Sequence, residues 1–146
     1  METTRIVLAD DHAVVRAGIR HILQRAPGIE VMGEASNGVE AIRLVNKLAP
    51  DVLLLDIEMP VLNGIEVVRK LHAARSPVRI LVLSAYDDNQ YVTEMLNNGV
   101  AGYLTKDEAP ESIVEAIHSV AQGDQGWVSK RVERKLKLHK ADKPQN

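Results

Sequence analysis

The 146-residue chain carries 18 Lys/Arg and 20 Asp/Glu, for a net charge of −2, and is 45% hydrophobic, enough for an ordinary core. It has no Cys, no Phe and one Trp, which excludes disulfides, thiolate metal centres and thiol catalysis and leaves the core to aliphatic side chains. No apolar run approaches the roughly 18 residues of a membrane span, and the first residues lack the apolar stretch of a signal peptide, so a cytoplasmic protein without membrane contact is expected.

In chain order, the first apolar run, 5–9, ends at Asp10-Asp11. A helical period follows in Val14, Val15, Gly18, Ile19, Ile22 and Leu23, stopped by Pro27-Gly28. Residues 29–35 alternate apolar and polar, as a half-covered edge strand does. Val39, Ile42, Leu44, Val45 and Leu48 mark a second helix ending before Pro50. The run 51–55 ends at Asp56, and a third helix carries Ile65, Val67, Val68 and Leu71. The run 79–83 ends at Ser84. The helix expected next, over 88–98, turns Val92, Met95 and Leu96 inward and is closed by Asn98-Gly99. The last run, 100–104, leads to Lys106, and Pro110 opens a fifth helix through Ile113, Val114, Ile117 and Val120 to Gly123.

Near-continuous apolarity marks strands buried on both faces. Strands alternating with segments of helical length give an α/β fold: a doubly wound, flavodoxin-like (βα)5 unit with a five-stranded parallel sheet. For this class the order is 2-1-3-4-5, which sets the strands before Asp10-Asp11 and Asp56 side by side at the switch point. Ligands bind there, beyond the carboxyl ends of the strands. Three carboxylates, the Ser84 hydroxyl and the Lys106 ammonium therefore converge. Clustered carboxylates stay ionised together only beside positive charge. An oxygen-only ligand set with no His or Cys nearby is expected and favours Mg²⁺, and Lys106 and Ser84 suit a phosphoryl group. Taken singly the residues also have structural readings: Asp10 or Asp11 as a helix N-cap, Ser84 as a turn residue, Lys106 as a solvated loop lysine.

Asp10-Asp11-His12, the stretch 54–64 around Asp56 with Met59-Pro60 and Asn63-Gly64, Ser84-Ala85, and Gly102-Tyr103-Leu104-Thr105-Lys106 together resemble the receiver domain of bacterial two-component response regulators. The resemblance covers about residues 3–123. It implies that Asp56 accepts a phosphoryl group from a phosphohistidine on a sensor histidine kinase. It also implies that Asp11, Asp56 and the backbone carbonyl of Glu58 bind Mg²⁺ directly and Asp10 through a water. Ser84 and Tyr103 would be switch residues acting on a face made of the fourth helix, fifth strand and fifth helix (a 4-5-5 face), with a phosphorylation-dependent homodimer as one outcome. Glu58 and Tyr86 would flank the acceptor. Such a domain is not an enzyme beyond Mg²⁺-dependent self-phosphorylation and slow autodephosphorylation.

Residues 124–146 read as a linker and basic tail. From 129 to the end, seven basic residues face two acids, giving +5 and leaving −7 for the rest. Ser129 caps a short helix expected over 131–138, and the end reads as disordered. Gly126-Trp127-Val128-Ser129 resembles the junction of NarL/FixJ (LuxR-type) regulators, in which a helix-turn-helix DNA-binding domain follows; that domain is absent from this chain. The output is thus transcriptional, with DNA reached only through such a domain, or that of a stand-alone receiver acting on other proteins. A Mg²⁺-dependent phosphohydrolase with an aspartyl-phosphate intermediate ranks last, because Asp56 follows the third run, its i+2 neighbour is Glu58 and no cap domain is present. His12, His21, His72, His118 and His139 lack metal-ligand spacing, and His12 reads as a helix-surface or capping group rather than a ligand.

Overall fold

A computed structural model describes residues 3–85, 89–108, 110–129 and 132–134. The strands are β1 (Thr4–Ala9), β2 (Ile29–Ala35), β3 (Val52–Asp56), β4 (Arg79–Ser84), β5 (Gly102–Thr105) and β6 (Trp127–Val128). Between them lie α1 (Ala13–Gln24), α2 (Gly38–Leu48), α3 (Gly64–Ala73), α4 (Asn89–Asn97) and α5 (Pro110–Ala121). The strands form one parallel sheet in the order β2-β1-β3-β4-β5-β6.

The apolar runs divide by parity, as strands covered on both faces must. Val7, Leu53, Leu55, Val82 and Tyr103 point to the layer of α2, α3 and α4, among Val45, Val67, Val68, Leu71, Val92 and Met95. Ile6, Leu8, Val52, Leu54, Leu81, Leu83 and Leu104 point to α1 and α5, among Ile19, Leu23, Ile113, Ile117 and Val120. Burying each such side chain contributes roughly 1.5–3 kcal/mol before chain entropy is set against it. β2 is an edge strand, as its alternation implies. A register shift against β1 leaves Met32 as the extra residue between Val31, opposite Ile6, and Gly33, opposite Val7.

Helix ends follow local chemistry. Asn37 and Asn63 cap α2 and α3, their side chains accepting from the N–H of Glu40 at 2.9 Å and of Glu66 at 3.0 Å. α2 stops at Ala49, in the left-handed region just before Pro50. α5 begins at Pro110. The expected start of α4 at residue 88 lies outside the described residues.

The sheet has six strands, not five. Trp127–Val128, in the segment read as linker, pairs in parallel with β5 at Gly102 and Tyr103. Gly102 permits this: a Cβ there would stand 2.8 Å from the Trp127 carbonyl oxygen. Trp127 N–H donates to Ala101 O at 2.9 Å, and the Gln125 side chain to Val100 O at 2.9 Å. Beyond β6, the Ser129 hydroxyl accepts from Val132 N–H at 3.2 Å, the cap that the sequence suggests. Val132 is fully buried in the cluster that holds Tyr103 and Met95. Residues 132–134 are helical; the other residues of the expected tail helix and all of 135–146 lie outside the described residues.

Candidate functional site

β1 and β3 are neighbours with Ala9 opposite Leu55, so Asp10 and Asp56 leave the sheet side by side. Both carboxylates are buried, at 1% and 2% exposure. Each spends one oxygen on its own turn: Asp10 Oδ1 accepts from His12 N–H at 2.8 Å, and Asp56 Oδ1 from Glu58 N–H at 3.2 Å. The other oxygens face Lys106, whose Nζ lies 3.1 Å from Asp10 Oδ2 and 3.2 Å from Asp56 Oδ2. Lys106 is held in place by its backbone N–H, which donates to Ser84 O at 2.8 Å. Apart from this ammonium the two oxygens have no partner among the described residues.

Charge does not balance here. Asp10, Asp11, His12 and Asp56 each place one possible ligand atom within 4.8 Å of the others, so three carboxylates share one ammonium. Burial pushes the Asp56 carboxyl up to about 6; Lys106 opposes this and Asp10 adds to it. Burial also works against the Lys106 ammonium, but Asp56 and Asp10 outweigh it and raise its pKa above the ordinary lysine value. Two buried carboxylate oxygens that share one ammonium, beside the more open Asp11, fit a hard, oxygen-seeking cation.

Asp10, Asp11, Asp56 and Lys106 thus come together as the sequence suggests. Ser84 is buried at the end of β4, opposite Thr105 and one residue past the Leu83–Asp56 pair. Tyr103 is fully buried deeper in the sheet, between Val82 and Val128, outside the carboxylate cluster. Glu58 is exposed in the loop after β3, and Tyr86 lies outside the described residues. The loop turns back tightly at Gly64, whose N–H donates to Ile57 O at 2.7 Å and where a Cβ would stand 2.7 Å from Asp56 O.

Two contributors escape sequence reasoning. His12 is the N-cap residue of α1 but makes no capping bond with its side chain. Its Nδ1 lies 3.2 Å from Asp10 Oδ1 and 3.0 Å from Asp11 Oδ1. The ring thus lies against both carboxylates, a placement that its position beside the acidic pair could have signalled. Arg16 donates from Nη1 to the Asp10 carbonyl at 2.7 Å, and no pattern in the sequence signals it.

The profile of the response regulator receiver domain family matches residues 6–118. The chain belongs to this family. The receiver is 44% identical over 119 residues to the transcriptional regulatory protein DegU of Brevibacillus brevis, covering 82% of this chain and 50% of that protein. It is 42% identical over 123 residues to the nitrate/nitrite response regulator protein NarL of Escherichia coli K12, covering 84% and 57%. Among solved structures it resembles the signal receiver domain of the putative response regulator NarL from Mycobacterium tuberculosis, with TM-score 0.81, 36% identity and coverage of 84% of this chain and 99% of that one. The chain spans only about half the length of these two full-length relatives. Among the described residues no helix is long and apolar enough to cross a membrane.

Proposed function

We propose that this receiver takes a phosphoryl group from a phosphohistidine of a sensor histidine kinase onto Asp56 and passes the signal to a transcriptional output. The observation that carries the reading is the buried Asp56 carboxylate, with one oxygen tied to its own turn and the other turned to Lys106 in a pocket of surplus negative charge. An oxygen of Asp56 attacks phosphorus, the new O–P bond forms as the N–P bond breaks, and the electron pair leaves with the imidazole. Such transfer depends on positioning and charge neutralisation more than on proton transfer. Asp11, Asp56 and the Glu58 carbonyl would hold Mg²⁺ directly and Asp10 through a water, and the bound ion would supply positive charge against the phosphoryl oxygens. Lys106 adds a fixed cation, and Ser84 a hydroxyl on the neighbouring strand.

Phosphorylation then favours whichever arrangement gives the phosphoryl group extra contacts. Ser84 and Tyr103 are the switch residues of this reading, and α4, β5 and α5 form the output face, with a phosphorylation-dependent homodimer as one product. A transcriptional output, working in the cytoplasm through a DNA-binding domain beyond this chain, rests on the names of the relatives, a transcriptional regulatory protein and a response regulator.

Intact mass of wild type and Asp56→Asn after incubation with Mg²⁺ and acetyl phosphate tests the acceptor. Wild type alone gains one phosphoryl group, about 80 Da. An adduct of equal yield on the variant would remove Asp56 from the role.

A further inference from the structure

Three of the four polar atoms of Asp10 are hydrogen-bonded, and the fourth, Oδ2, lies against an ammonium. Its N–H donates to Ala35 O at 3.0 Å, its Oδ1 accepts from His12 N–H and its Oδ2 faces Lys106. Its carbonyl accepts from Arg16 Nη1 at 2.7 Å. Arg16 in turn is gripped from β2: its Nε donates to Glu34 Oε1 at 3.2 Å. Glu34 Oε2 takes a second arginine, Arg20 Nη1, at 2.8 Å. Arg20 lies one helical turn further on, away from the Asp10 carbonyl.

We propose that Arg16 is a positioning residue for the cation-binding turn, holding the Asp10–Asp11 peptide through the Asp10 carbonyl, with Glu34 as its anchor on β2. The inference rests on the Mg²⁺-dependent reading above. The peptide plane between Asp10 and Asp11 determines where the Asp11 side chain points. Asp11 itself is 29% exposed, and its contact with the exposed His12 is a weak restraint. The Arg16 contact is therefore the firmest hold on the peptide that orients Asp11. Glu34 also matters electrostatically. A bare guanidinium beside the turn would repel a divalent cation, and the carboxylate offsets that charge while leaving Nη1 to hold the carbonyl.

Partners that orient metal ligands typically account for 10- to 100-fold in metal affinity. Calorimetric titration of Mg²⁺ into wild type, Arg16→Gln and Arg20→Gln, with melting temperatures taken in parallel, tests the role. Both substitutions remove one ion pair to Glu34, so any general loss of stability is common to both; only Arg16→Gln frees the Asp10 carbonyl. The expected result is Mg²⁺ affinity reduced about tenfold in Arg16→Gln and near wild type in Arg20→Gln. Glu34→Gln, which keeps both arginines but loses the anchor, falls between them. Equal affinity in Arg16→Gln and wild type overturns the proposal, as does an equal drop in Arg20→Gln. Should Arg16→Gln not fold, the Glu34→Gln and Arg20→Gln pair decides, since wild-type affinity in Glu34→Gln also overturns it. A folded wild type that binds no Mg²⁺ removes the metal reading itself and this inference with it.

Discussion

At the scale of single residues, the site is a small store of unfavourable charge. Without a cation the native state holds Asp56 with a carboxyl raised from 3.8 to about 6, so the folded protein binds that proton more readily than the unfolded chain does. The sign follows from linkage: Asp56 costs stability above pH 6, the cost shrinks as pH falls through the folded value, and it is gone below about 4. Asp56→Asn removes the charge and leaves Lys106 paired with Asp10. The variant is expected to be more stable than wild type in metal-free buffer at pH 7.5, by about 1–2 kcal/mol once solvent screening is allowed for. Urea unfolding at pH 7.5 and pH 4 measures this; a variant less stable at pH 7.5, or a gain that persists unchanged at pH 4, contradicts it. Strain is also held nearby. Val61, in the loop that follows Asp56, has φ of 70° although it is β-branched, and its side chain is 80% exposed, so no packing compensates. Val61→Gly is expected to raise the melting temperature, with a gain of about 0.5–1 kcal/mol after the entropy cost of glycine. Asp10, Asp56 and Lys106 were legible because each ends an apolar run, and strand ends converge in this fold. Arg16 was not, since its role depends on how α1 lies across β2, a relation that no local pattern encodes.

At the scale of elements, periodicity identifies what is long and misses what is short. Four strands announced themselves by near-continuous apolar runs and β2 by its alternation, and the doubly wound order followed from class. β6 has two residues, too few for any period, and it exists because β5 accepts it. The trace it leaves in the sequence is indirect: a glycine at the start of β5, where any Cβ would meet both the Trp127 carbonyl and the Leu81 side chain. Gly102→Val is therefore expected to displace β6 and cost about 1–3 kcal/mol by overpacking. Trp127 is the chain's single tryptophan, so its fluorescence reports on β6 alone. A red-shifted emission in Gly102→Val at native conditions is the expected result; an unchanged spectrum with unchanged stability would mean that β6 contributes nothing to the sheet.

At the scale of the whole molecule, the folded unit reaches past the family's own boundary. The family match ends at residue 118, yet β6 extends the sheet and Val132 is fully buried in the cluster that holds Tyr103, Val92 and Met95. Any motion of Tyr103 or Met95 would therefore be felt at Val132. Val132→Asp tests whether that segment belongs to the cooperative fold. A carboxylate forced into the cluster would cost far more than a lost valine, but the segment has a cheaper escape: it peels away and leaves the new carboxylate in water. The penalty is then capped at the docking energy, close to the roughly 1.5–3 kcal/mol of a fully buried valine. Urea unfolding should show an unfolding free energy lowered by that amount, in a single transition, with Trp127 emission shifted to the red before unfolding begins. Stability equal to wild type would mean that Val132 lies in the cluster without stabilising it. A loss well beyond that cap would mean that the segment cannot detach, which would make it a fixed part of the core.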